Sequence, residues 1–129
     1  MFRSVGGMGS HPANLAFRFV LEIAALFAVG RWGFGISESW LRYLLVVSAP
    51  GLLAVAWGTL AVPDDPSRSG SAPIPIPGGL RLCLELGIFA LACWAFASSG
   101  ARFAAGILAG AVLVHYALSY DRVIWLLSR

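Results

Sequence analysis

The chain has no lysine: all nine of its basic residues are arginine. That points to a high-GC coding bias more than to chemistry. Charge of either sign is scarce, at 12% of 129 residues, about half of the ~25% usual in a soluble domain. With 59% hydrophobic residues and a mean hydropathy of +0.82, the composition is too apolar for a disordered chain and suits a bilayer better than water.

Cysteine is almost absent. Cys83 and Cys93 fall in one apolar run, where ten helical residues would hold them about 15 Å apart, roughly twice the reach of a disulfide. They read as free thiols, and no CxxC or Cys/His spacing points to a metal. Histidine is limited to His11 and His115, which excludes an obvious haem or metal pair, so no metal or cofactor is expected. The net charge of +3 invites a nucleic-acid partner, but the arginines stand singly at the edges of apolar runs and form no stripe. Nucleic acid is therefore not expected as a partner.

What the chain does have is long apolar runs. Residues 1–13 read as a flexible Gly/Ser-rich segment, and Arg18 and Glu22 interrupt any signal-peptide pattern. A single domain over 14–129 then carries four spans, near 14–34, 40–62, 79–97 and 102–122, each about the 20 residues that cross a hydrocarbon core. Asn14 reads as the first N-cap, and Pro50 as a kink in the second span. The 63–78 stretch, with Pro63, Pro66, Pro73, Pro75 and Pro77, reads as an extended, solvated connector. The expected fold class is all-α, a four-helix membrane bundle.

Two runs share a pattern. Arg18-Phe-Val-Leu-Glu22 and Arg81-Leu-Cys-Leu-Glu85 each open an apolar helix, and Arg42 and Arg102 open the helices that follow. The spans thus read as two tandem hairpins, an internal duplication with a pseudo-twofold axis along the membrane normal. Arg3, Arg18, Arg68, Arg81, Arg122 and Arg129 lie on the face of both termini, against Arg31, Arg42 and Arg102 opposite, which places both termini in the cytoplasm of a bacterial inner membrane.

Asn14-Leu-Ala-Phe-Arg-Phe-Val-Leu-Glu22, Ala49-Pro-Gly-Leu-Leu-Ala-Val-Ala-Trp57-Gly58 and Leu80-Arg-Leu-Cys-Leu-Glu85 together resemble the YrdB-like family of small four-span bacterial membrane proteins. The resemblance covers nearly everything from Asn14 onward. It implies a four-helix membrane fold and brings no established activity.

An ionised Glu inside hydrocarbon needs a partner, and Arg one turn earlier is the natural one. Each Glu lies one to two turns inside the cytoplasmic boundary, and His115 lies near that depth, on one face with Ser119 and Arg122. One reading makes Glu22, Glu85, His115, Arg18 and Arg81 a cluster that binds or passes a small polar solute or ion. The blander one makes two Arg–Glu pairs that hold the helices in register, each Glu with its own Arg one turn away and the Arg side chains snorkelling to the headgroups, and puts His115 in a structural hydrogen bond. An accessory subunit of a larger membrane complex is the alternative function. Membrane lipids, a second copy or another membrane protein are the partners in view. No nucleophile–base arrangement asks for an enzyme. Gly106-Ile-Leu-Ala-Gly110 is a GxxxG match, expected to pack inside the bundle, and the Trp and Tyr near the span ends read as an aromatic belt.

Overall fold

The computed structural model describes residues 11–65 and 72–129. Most of the 1–13 segment, together with Arg3, Arg68 and the middle of the 63–78 loop, lies outside the described residues. Among the described residues the chain forms α1 (Pro12–Ile36), α2 (Leu41–Thr59), β1 (Leu60–Ala61), β2 (Ile74–Pro75), α3 (Gly78–Ser98), α4 (Arg102–Leu118) and α5 (Tyr120–Leu127).

Local signals set the helix ends. Pro12 sits in the first turn of α1, where its missing N–H is no loss, and His11 Nδ1 accepts a hydrogen bond from the Ala13 N–H at 3.1 Å. His11, not Asn14, is therefore the N-cap, and Asn14 lies buried inside the helix. α3 stops at Gly100, whose φ of +89° suits a residue without Cβ, while Ala101 N–H reaches back to the Phe96 carbonyl at 2.8 Å.

α1 and α3 occupy the middle of the fold. Small residues on both, Ala25, Ala28, Ala92 and Ala95, let the two axes approach, and Leu21, Val29, Phe89 and Phe96 fill the space between them. α2 lies along α1 and contributes no fully buried residue. Gly33 is the point of closest approach, because a Cβ there would come within 2.9 Å of the Leu45 carbonyl oxygen. α4 closes the other side with Ala105, Leu108, Val112 and His115 buried.

α1, α2 and α3 are each long and apolar enough to cross a membrane. α4 and α5 meet that test only as a pair, and the pair is bent by 73°. The fourth run is thus not one straight helix to residue 122. It breaks at the buried Ser119, and α5 turns across the start of α3, where the Leu126 carbonyl rests on Gly78 in space that a Cβ would fill.

In the described parts of the connector Pro63, Asp64, Pro73, Ile74, Pro75 and Pro77 are exposed, while Asp65 is buried and β2 pairs in parallel with β1, Ile74 opposite Leu60. One further expectation fails. The Gly106/Gly110 pair does not pack inside the bundle, since a Cβ on either would meet nothing within 4 Å.

Candidate functional site

Asn14, Arg18 and Glu22 follow one another at four-residue steps, so they share one face of α1, the face turned to α3 and α4. α3 presents Arg81 and Glu85 at the same level, α4 adds His115 and Tyr116, and α5 adds Arg122. The last contributor is Asp65, at the end of the Pro63-Asp64-Asp65 turn. Asp64 takes a φ of +66°, which Asp tolerates better than most residues, and the chain reverses to point Asp65 inward.

Glu85 is the hub. Its side chain is 0% exposed. Oε2 accepts from Arg81 Nε at 2.7 Å and from Arg122 Nη2 at 2.8 Å, and Arg18 Nη2 lies 2.8 Å away. Oε1 accepts from Arg122 Nη1 at 2.9 Å and from the Tyr116 hydroxyl at 2.7 Å. A carboxylate offers about four lone-pair sites, so these donors fill it. Arg122 is bidentate on Glu85 and also donates to both oxygens of Asp65, at 3.2 and 2.7 Å. Arg81 Nη1 donates to the Trp57 and Leu60 carbonyls at 2.7 and 2.6 Å, closing acceptors that the end of α2 leaves open. The Arg18 and Arg81 guanidinium carbons lie 5.5 and 5.3 Å from the centroid of the Trp57 ring.

Glu22 stands differently. Its bond from Arg18 Nε is longer, 3.1 Å, and its side chain keeps 26% of its exposure. It forms the one charged wall of a crevice of about 170 Å³ between α1, α2 and α3, lined otherwise by apolar residues such as Phe19, Leu26, Leu53 and Trp57. Counted over the described residues, Arg18, Arg81 and Arg122 balance Glu22, Glu85 and Asp65.

Of the five residues singled out by sequence, Arg18, Arg81, Glu22 and Glu85 form one connected network, with Arg18 bridging the two Glu residues. The pairs are therefore not separate. His115 belongs to a neighbouring group: its Nδ1 lies 3.1 Å from Asn14 Oδ1, and Asn14 Nδ2 donates to Ser119 Oγ at 2.7 Å. Its ring packs edge-on against Phe17 and Tyr116, and among the described residues the buried Nε2 has no hydrogen-bond partner. Sequence reasoning missed Asp65, Tyr116 and the tertiary role of Arg122. The available signals were an acidic pair in a proline-flanked turn and a Tyr beside His115. Among the described residues no cluster of His, Cys, Asp and Glu is placed to hold a metal ion.

Two comparisons bear on what this site belongs to. A family model described as a protein of unknown function (DUF2568) matches residues 16–113. The uncharacterized protein YrdB of Bacillus subtilis (strain 168) is 37% identical over 119 residues, covering 92% of this chain and 97% of that protein. No solved structure matches.

Proposed function

The chain belongs to the family described as proteins of unknown function (DUF2568), and from that premise we propose that it is a four-span protein of the bacterial cytoplasmic membrane that binds a small polar solute or ion at Glu22. The bias of arginines toward the face of both termini supports a cytoplasmic position for that end of the bundle. In this reading the Arg18/Arg81/Glu85/Arg122/Asp65 network is the scaffold, and His115 with Asn14 steadies α4 against α1.

One observation carries the assignment to Glu22. Glu85 and Asp65 are buried, and Glu85 has its lone pairs filled, whereas Glu22 is part-exposed on a crevice wall. Passage of a solute through the network would require Glu85 to shed buried guanidinium partners, which costs several kcal/mol. Binding is therefore favoured over passage. The test is thermal unfolding of the purified protein in nanodiscs, with small alcohols, amides, ammonium or sodium added in turn between about pH 5 and 7. A saturable rise in Tm that disappears in Glu22→Gln and survives in His115→Ala is the expected result. No rise, or one indifferent to Glu22→Gln, defeats the reading.

A second reading, an accessory subunit of a larger membrane assembly, draws on α2, which has no fully buried residue, and on the open Gly106/Gly110 face of α4. It predicts a particle mass above that of a monomer only when the protein is drawn from its native membrane.

A further inference from the structure

The Glu22 crevice does not end at Leu26. Ile23 and Leu26 also line a second cleft, of about 530 Å³, which continues along α1 past Phe27 and Gly30 to Phe34 and is walled on the α2 side by Val46 and Pro50. The two make one groove between α1 and α2, apolar but for Glu22 at one end and Arg31 toward the other, where the guanidinium is already held by the Ser99 hydroxyl and carbonyl at 3.1 Å each. From Glu22 to Phe34 it spans about 18 Å of helix. That is close to the depth of one leaflet, about half of a ~30 Å hydrocarbon core. A groove of this shape suits a single hydrocarbon chain running from a polar head at Glu22 toward the opposite end of α1.

Charge decides the head. Among the described residues the network is already balanced, three guanidinium groups against three carboxylates, with Glu22 one of the three. A cation bound at Glu22 would leave a surplus positive charge beside Arg18 in a poorly solvated place, and an anion would face the carboxylate itself. An uncharged hydrogen-bond donor disturbs neither. Among the described residues the Glu22 carboxylate receives its hydrogen bond on Oε2, from Arg18, which leaves Oε1 to accept from a ligand.

The geometry points to a binding site for a single-chain amphiphile with an uncharged donor head, a hydroxyl above all, seated between α1 and α2. This rests on Glu22 as the ligand-facing group and specifies what it faces. Trp57 closes the head end of the crevice, but Arg18 and Arg81 already lie against its ring, so it adds apolar wall and not a cation seat.

The test uses the full chain in phosphatidylcholine nanodiscs and three probes of equal chain length: dodecanol, dodecylammonium and dodecane. Binding is followed by saturable change in tryptophan fluorescence and in Tm. Dodecanol is expected to bind roughly tenfold or more tighter than dodecane, as one hydrogen bond to a charged acceptor implies, and tighter than dodecylammonium. Glu22→Leu should erase the preference for dodecanol. Ala54→Phe, which fills the crevice without touching the network, should abolish saturable binding of all three. Tighter binding of dodecylammonium, lost in Glu22→Leu, overturns the uncharged head while leaving Glu22 as the site. Equal response to all three probes, unchanged in Glu22→Leu, overturns both. Unaltered dodecanol binding in Ala54→Phe overturns the groove.

Discussion

Arg18-Phe-Val-Leu-Glu22 and Arg81-Leu-Cys-Leu-Glu85 carry the same ionic spacing on the first and third helices, and both Glu residues take a hydrogen bond from the Arg one turn before them. There the likeness stops. Glu85 is sealed, with Arg81, Arg18, Arg122 and Tyr116 all directed at it, and Glu22 keeps a quarter of its side chain open at a bond 0.4 Å longer, 3.1 against 2.7 Å. The difference comes from what crosses each motif. α5 and the Asp65 turn fold over α3, while α1 is flanked at Glu22 by α2, which has no fully buried residue. An i, i+4 pair is thus a local device, and the surrounding elements decide whether it becomes a structural hub or an accessible acid.

The sharpest way to break this comparison is to neutralise each acid in turn. Glu85→Gln removes the one carboxylate that three buried guanidinium groups share, leaving Arg18 only Glu22 and Arg122 only Asp65 of the network's acids, and is expected to cost about 3–5 kcal/mol of unfolding free energy, measured by denaturant titration in mild detergent. Arg122→Gln comes next, at about 3 kcal/mol, because Glu85 keeps Arg81 and Arg18 while Asp65 loses the two hydrogen bonds that Arg122 gives it. Limited proteolysis should then cut near α5 sooner than in the parent protein. Gly78→Ala probes the same cover from the other side: a methyl group against the Leu126 carbonyl should cost about 1–3 kcal/mol and loosen α5 without touching a charge. Glu22→Gln should cost about 1 kcal/mol or less, since part-exposed pairs contribute little. A loss at Glu22 equal to that at Glu85 would refute the asymmetry. Gly106→Ala closes the series within about 0.5 kcal/mol, because it faces open space. A larger effect there, growing with protein concentration, would reveal a contact between copies.

Much of the architecture was legible from residue pattern. Apolar runs of span length, proline and glycine at their ends and the repeated Arg/Glu spacing mark the helices within a few residues, because each is a local property of ten to twenty positions. The misreadings share one cause. Asn14 has the chemistry of an N-cap and sits where a helix begins, yet it is four residues from Arg18 and continues the buried polar face, bonding across to Ser119. Asp65 lies in a proline-flanked turn that reads as solvent-exposed, and only the approach of α5 supplies Arg122 to draw it in. Tyr116 reads as part of an aromatic belt, and its hydroxyl is spent on Glu85. The fourth run reads as one continuous span, and Ser119 breaks it.

Taken alone, the sequence determined that this chain is helical, apolar enough for a membrane, and armed with two Arg–Glu pairs near one end. Helix formation, span length and i, i+4 pairing are all satisfied within a single segment, so no other part of the chain is needed to read them. Which acid would be sealed, which would stay open, and that Asp65 and Tyr116 would join the network were decided only by tertiary structure. Those outcomes depend on α5, the Asp65 turn and α4 converging on Glu85 from 20 to 37 residues away in sequence, and desolvation of a charge is a property of everything packed around it.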